Sequence, residues 1–184
     1  RPSRALFRVA RFGCDGFPFN SPSSSASWAA ENGLRALQIP AWDKRLFDVN
    51  LAAESQQYCD GVCGMLAEHD LVISELTTHI FGHLMAVHPA YETLCDSFAP
   101  AHLHGKPAQR TEWAQQQLFA AARASARLGL SEMGTVSGSF AWPYVFPFPQ
   151  RPARLVETAF AGLARRRLPV LNACDEQGIN LCYE

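Results

Sequence analysis

Four residues in this sequence pair useful chemistry with a promising position: Trp42, His79, Trp142 and Glu184. Each lies at or after the end of a short apolar run that reads as a strand. A carboxylate such as Glu184 at the carboxyl end of a parallel strand can bind a divalent cation or carry a proton, because several strand ends converge there. The indoles of Trp42 and Trp142 offer apolar walls on which the C–H face of a sugar can stack. Spacing alone leaves plainer readings open: a solvated Glu184, a hydrogen-bonded loop histidine at His79, and loop packing for both tryptophans. Other polar residues fall at strand ends too, among them Gln38, Asp43, Glu75, Thr78, Thr135 and Ser137. His102 and His104 alternate in a polar loop and suit the surface better than a zinc site.

Four stretches share the pattern that positions these groups: a polar helix end, a turn residue, then a short apolar run. They are ENGLRALQI, EHDLVISEL, RLGLSEMGT and EQGINLCYE. Gly33, Gly129 and Gly178 suit the left-handed position just past a helix, and Asp70 tolerates it. An earlier run, Leu6 to Phe12, supplies a first strand. Apolar residues near a period of 3.6 predict helices over 50–69, 107–128 and 152–177, with Pro169 kinking or dividing the last. Their faces are Leu51, Tyr58, Val62, Met65 and Leu66; then Ala114, Leu118, Ala121, Ser125 and Leu128; then Val156, Phe160, Leu163, Val170, Leu171 and Cys174. Ser21 and Pro22 fit the cap and first turn of a shorter helix.

The order is therefore βαβαβαβαβ, which implies parallel pairing and right-handed crossovers. No Gly-x-Gly-x-x-Gly or Walker-type loop follows a strand, and this weakens nucleotide-binding versions of such a sheet. The long loops 77–106 and 136–151 are rich in His, Pro and aromatics, as at the mouth of a barrel. A (β/α)8 barrel needs eight units and about 250 residues. With about five parallel strands and four helices in 184 residues, the expected fold class is α/β, a partial (β/α)8 TIM barrel. Residues 1–184 are read as one domain, the N-terminal part of such a barrel. Because residue 1 is Arg, further sequence upstream is expected as well.

Composition narrows the function classes. Sixteen Lys and Arg against seventeen Asp and Glu give a net charge of -1. This offers no broad electrostatic footprint for nucleic acid or an anionic membrane. No apolar run reaches the roughly 18 residues that a membrane helix needs. The six cysteines lack framework spacing and read as reduced, mostly buried thiols of a cytoplasmic protein. Cys59 and Cys63, one helical turn apart, are expected to pack into the core together. The Arg165–Arg167 run reads as a solvated helix face.

Several longer phrases carry a resemblance: LQIPAWDKRLFD, AAESQQYCD, ISELTTHIFGHLMAVHPAYE, AWPYVFPFPQRP and the closing NLCYE. Together they resemble the sugar phosphate isomerase/epimerase family, which has the xylose isomerase-like TIM barrel. The resemblance implies one divalent metal, Mn²⁺ or Mg²⁺, held by four side chains at the barrel mouth. Glu184 matches the first of those ligands and one of two acid/base carboxylates; the other ligands are not in these residues. It implies a small-molecule sugar or sugar phosphate as partner, with His79, Trp42 and Trp142 lining the pocket. The reaction implied is proton transfer through a metal-stabilised enediolate, with the chain inactive by itself. Two alternatives stand beside it. One is a zinc phosphodiesterase of abasic DNA on the same fold, which the charge balance disfavours. The other is a non-enzymatic half-barrel, expected to self-associate and so cover its apolar inner face.

Overall fold

The structure is a computed structural model that describes residues 5–6, 16–140 and 154–183. Five parallel strands form one sheet in the order β1 (Ala5–Leu6), β2 (Ala36–Pro40), β3 (Val72–Thr77), β4 (Glu132–Thr135) and β5 (Asn180–Tyr183). Each strand pairs with the next in the chain, the topology of a (β/α) barrel wall. Of the expected first strand, Ala5 and Leu6 are described, and 7–12 lie outside the described residues.

Helices return the chain between strands. α1 (Pro22–Glu31) begins at Ser21, whose Oγ accepts from the Ser24 amide at 3.2 Å, with Pro22 in the first turn. The predicted helix over 50–69 is instead two, α2 (Val49–Glu54) and α3 (Gln56–Ala67). Ser55 causes the break: its extended backbone ends α2, while its Oγ accepts from the Tyr58 amide at 3.2 Å and starts α3. The two helices no longer share a face, and Leu51 stands 44% exposed. After β3 come the short α4 (His79–His83), three 3-10 turns between Pro89 and Leu103, and α5 (Pro107–Arg127). The last helix, α6 (Leu155–Glu176), runs unbroken through Pro169. Proline costs a helix one amide donor, but the turns on either side keep the rest of the ladder.

The residues just past α1, α5 and α6, Gly33, Gly129 and Gly178, have φ of 72°, 71° and 67°, and Asp70 has 55°. These left-handed stops aim each helix into the next strand. Between the sheet's outer face and the helices lies the main core, where Leu76, Met133 and Leu118 are fully buried beside Ala114 and Ala121. Burying each large side chain contributes about 1.5–3 kcal/mol. A second cluster joins Leu37 to Ala26, Ala29 and Leu66 under α1 and α3.

Three packing expectations need correction. Val156 and Phe160 are 47% and 67% exposed. A 22-residue helix spans about 33 Å and a four-residue strand about 13 Å, so the first turns of α6 overhang the sheet. Cys63 is exposed although Cys59 is buried, because the narrow face of α3 admits only one of them. Cys182 is exposed too, while Cys174 is buried. Of the Arg165–Arg167 run, Arg165 and Arg166 are exposed as expected, but Arg167 is only 3% exposed. No helix among the described residues is long and apolar enough to cross a membrane.

Candidate active site at the carboxyl ends of the strands

Polar residues on the inner face begin with a register shift. Leu37 pairs with Ile73 but Gln38 pairs with Glu75, so Ser74 is one extra residue on β3. This bulge sets Gln38 beside Glu75, and the Gln38 Nε2 donates to Glu75 Oε1 at 2.9 Å. On the neighbouring strand, a Cβ at Gly134 would stand 3.1 Å from Glu75 Oε2. Glycine thus leaves the carboxylate its space. Desolvation, then Glu132 and Glu75, raise the pKa of the largely exposed Cys182 thiol.

One layer further toward the strand ends, backbone bonds tie the loops together. The Ala41 amide donates to Thr77 O at 2.9 Å. The buried Thr78 donates twice to Gly134 O, from its amide at 2.8 Å and its hydroxyl at 2.9 Å. These bonds bring Trp42, two residues past β2, to His79, two residues past β3. Their ring centroids lie 6.0 Å apart with a 31° tilt, and both residues are half-buried. Trp142 and Glu184, the other two candidates, lie outside the described residues.

Among the loops after α4 opens a cavity of about 640 Å³ whose walls include His83, His88, Tyr91, Cys95 and Phe98. Two loops meet at its base, where Ser139 N donates to Ala86 O at 2.9 Å. Gly138, at φ 68°, leaves room for the contact: a Cβ there would come within 3.0 Å of the Ala86 backbone. His83 sits at the rim, its ring 6.1 Å from Phe98. The crowding of protein atoms lowers its pKa first, and the neighbouring His79 and then Arg167 lower it further. Its ring nonetheless keeps an open side to solvent.

Among the described residues no three His, Cys, Asp or Glu side chains converge as a metal centre requires. Glu184, the one ligand that the sequence resemblance implies within this chain, lies outside the described residues. His102 and His104 are exposed and separate from the strand ends; a His104 ring nitrogen lies 3.2 Å from Ala99 O.

Sequence reasoning marked Gln38 and Glu75 only as strand-end polar residues. Their pairing depends on a register shift that no local pattern announces. It missed Arg167, whose Nη2 donates to Gly82 O at 3.0 Å and also to Val136 O, stapling α4 to the segment after β4. The available signal was its spacing of three and seven from Val170 and Cys174, which puts it on the buried face.

No family model matches the sequence, and no curated protein matches it. Solved structures do match. The chain superposes on 3-keto-D-glucoside 4-epimerase, YcjR, from E. coli with a TM-score of 0.56 at 12% identity, covering 98% of this chain and 54% of that one. It superposes on a xylose isomerase domain protein from Planctomyces limnophilus with a TM-score of 0.54 at 9% identity, covering 86% and 48%. The chain thus spans about half the length of the structures it matches. At these identities the likeness defines the fold: an α/β chain forming part of a (β/α)8 barrel.

Proposed function

We propose that the chain contributes part of the active site of a sugar isomerase or epimerase. One observation carries this reading: the bonded loops after β2 and β3 bring Trp42 and His79 together at the carboxyl end of a xylose isomerase-like sheet. An indole face there suits the C–H face of a hydroxy-ketone sugar, and the adjoining imidazole suits one of its hydroxyls. Below them the Gln38–Glu75 pair keeps a carboxylate oriented toward the same face.

In this reading Glu184, next after β5, transfers the proton at the carbon beside the sugar carbonyl. Mn²⁺ or Mg²⁺, when bound, would stabilise the enediolate charge. Because the described residues do not form its ligand set, no described residue is assigned to the ion. The test is solvent hydrogen exchange into a panel of free and phosphorylated ketoses, followed by NMR in D₂O with the whole protein and added Mn²⁺. Exchange that falls at least a hundredfold in Glu184→Gln is expected. Unchanged exchange in that variant would remove Glu184 from the reaction, and exchange into no ketose would sink the reading itself. Trp42→Ala should raise KM more than it lowers kcat, as a stacking wall requires.

A further inference from the structure

Between the turn after α4 and the N-terminal half of α6 lies a recess of about 310 Å³. Its walls include His88, Phe140, Thr158, Gly162, Arg165 and Arg166, and among the described residues no Asp or Glu lines it. No ion pair among the described residues includes either arginine. Two unneutralised guanidinium groups thus share one concave surface.

Arg166 is fixed in place. One Nη1 donates to Met85 O at 3.0 Å, and its guanidinium carbon lies 4.7 Å over the Phe140 ring. Those contacts use one N–H and one face of the plane, which still has other donors along its edges. Gly162 keeps the recess open at the helix surface: a Cβ there would stand 3.2 Å from the Phe140 ring and 3.9 Å from Arg165 Nη2. Thr158 adds a hydroxyl. His88 Nδ1 accepts from the Ala90 amide at 3.1 Å, which places the neutral ring's proton on Nε2. His88 is also a wall of the larger cavity, so the two spaces adjoin there.

We propose that this recess binds an oxyanion, specifically a phosphoryl group. Arg165, Arg166 and Thr158 supply donors from three residues of one helix face, and several donors around one centre match a multi-oxygen dianion better than a flat carboxylate. The inference does not rest on the sugar isomerase reading. The phosphoryl group is either free inorganic phosphate or the end of a ligand whose body occupies the 640 Å³ cavity beyond His88.

The experiment is calorimetric titration of the whole protein at low ionic strength with inorganic phosphate, a phosphorylated ketose and the same ketose unphosphorylated. Binding of inorganic phosphate is expected to weaken about tenfold or more in Arg165→Gln, the loss of one charge-assisted contact. It should be unchanged in Arg123→Gln, an equal loss of charge on α5. Arg165 makes no hydrogen bond among the described residues, so its variant keeps the fold. Competition by the phosphorylated ketose, but not by the free ketose, would assign the phosphoryl group to a cavity ligand. Phosphate binding without that competition would assign a free-phosphate site. Failure of phosphate to bind the folded protein, or equal binding in Arg165→Gln and wild type, would overturn the proposal, whatever the exchange assay with ketoses reports.

Discussion

Two buried arginines do the same mechanical job with opposite electrostatics. Arg110 on α5 and Arg167 on α6 are 1% and 3% exposed, and each reaches back to chain that follows β3. Arg110 meets acid: its Nη1 donates to Glu92 O at 2.8 Å and to Asp96, and its Nη2 donates to the Glu92 carboxylate. Among the described residues Arg167 donates to the carbonyls of Gly82 and Val136, with the Tyr183 ring 5.6 Å from its guanidinium carbon. Burial pulls its pKa down, which Tyr183 and Cys174 partly oppose. One clamp neutralises a buried charge, and the other solvates it with dipoles. A neutralised pair is strong while intact and costly once broken; a dipole-solvated cation is dispensable if an apolar side chain can fill its space.

The largest effect expected from this contrast is in Arg110→Met. It removes the cation that Glu92 and Asp96 share and should lower the urea midpoint by more than any other variant here. Arg167→Met should stay within about 1.5 kcal/mol of wild type. Each carbonyl it abandons has another donor: Met85 N reaches Gly82 O at 3.2 Å, and Thr135 Oγ1 reaches Val136 O at 3.3 Å. Equal losses in the two variants would show that the distinction between the clamps is wrong.

A second contrast is in pH. Asp96 is held below its ordinary carboxyl pKa first by the Gly105 amide, 3.0 Å from its Oδ2, and then by Arg110. A lowered pKa gives stability that is present above the unfolded value, near 4, and lost as pH falls through the folded one. Beside Arg167, burial pushes the Cys174 thiol from 9 up to about 11, with Asp175 adding to the rise. A raised pKa gives stability that is complete below 9 and lost as pH climbs toward 11. Asp96 thus contributes to the acid limb at the Arg110 clamp, beside Asp48, and Cys174 contributes to the alkaline limb near Arg167, beside the other raised thiols. Asp96→Asn should flatten only the acid limb of a melting-temperature profile, and Cys174→Val only the alkaline limb. A swap of those limbs, or no change in either, would break the assignment.

The contrast also shows what the sequence could reveal. The helix stops at Gly33, Asp70, Gly129 and Gly178, and the starts at Ser21 and Pro107, are decided by backbone chemistry within a few residues, so local pattern reads them. The break at Ser55 looked like helix because serine is acceptable inside one. Arg167 lay hidden in a triple-arginine run, where charge suggested water and only spacing suggested the core. The Gln38–Glu75 pair depends on a register shift between strands 37 residues apart. Trp42 and His79 were each legible as strand-end residues because both follow apolar runs of the βα repeat, but not as a pair. Their 6.0 Å separation required the Thr77 and Thr78 bonds, which no periodicity encodes.

The smallest effect tests whether the charge of Arg167 acts beyond its own contacts. His83 titrates below its ordinary 6.5 because of crowding first, then His79, then Arg167. Arg167→Met removes the third cause alone and should move the His83 midpoint upward, by less than removing either larger cause would. Arg110→Met should leave it in place, since that charge is not among the causes. Two-dimensional NMR of the imidazole nitrogens resolves such a shift. If the Arg167 charge were cancelled locally by the Gly82 and Val136 carbonyls, His83 would titrate alike in wild type and Arg167→Met. The two clamps would then differ only in how they are neutralised and not in the field they send to the cavity rim.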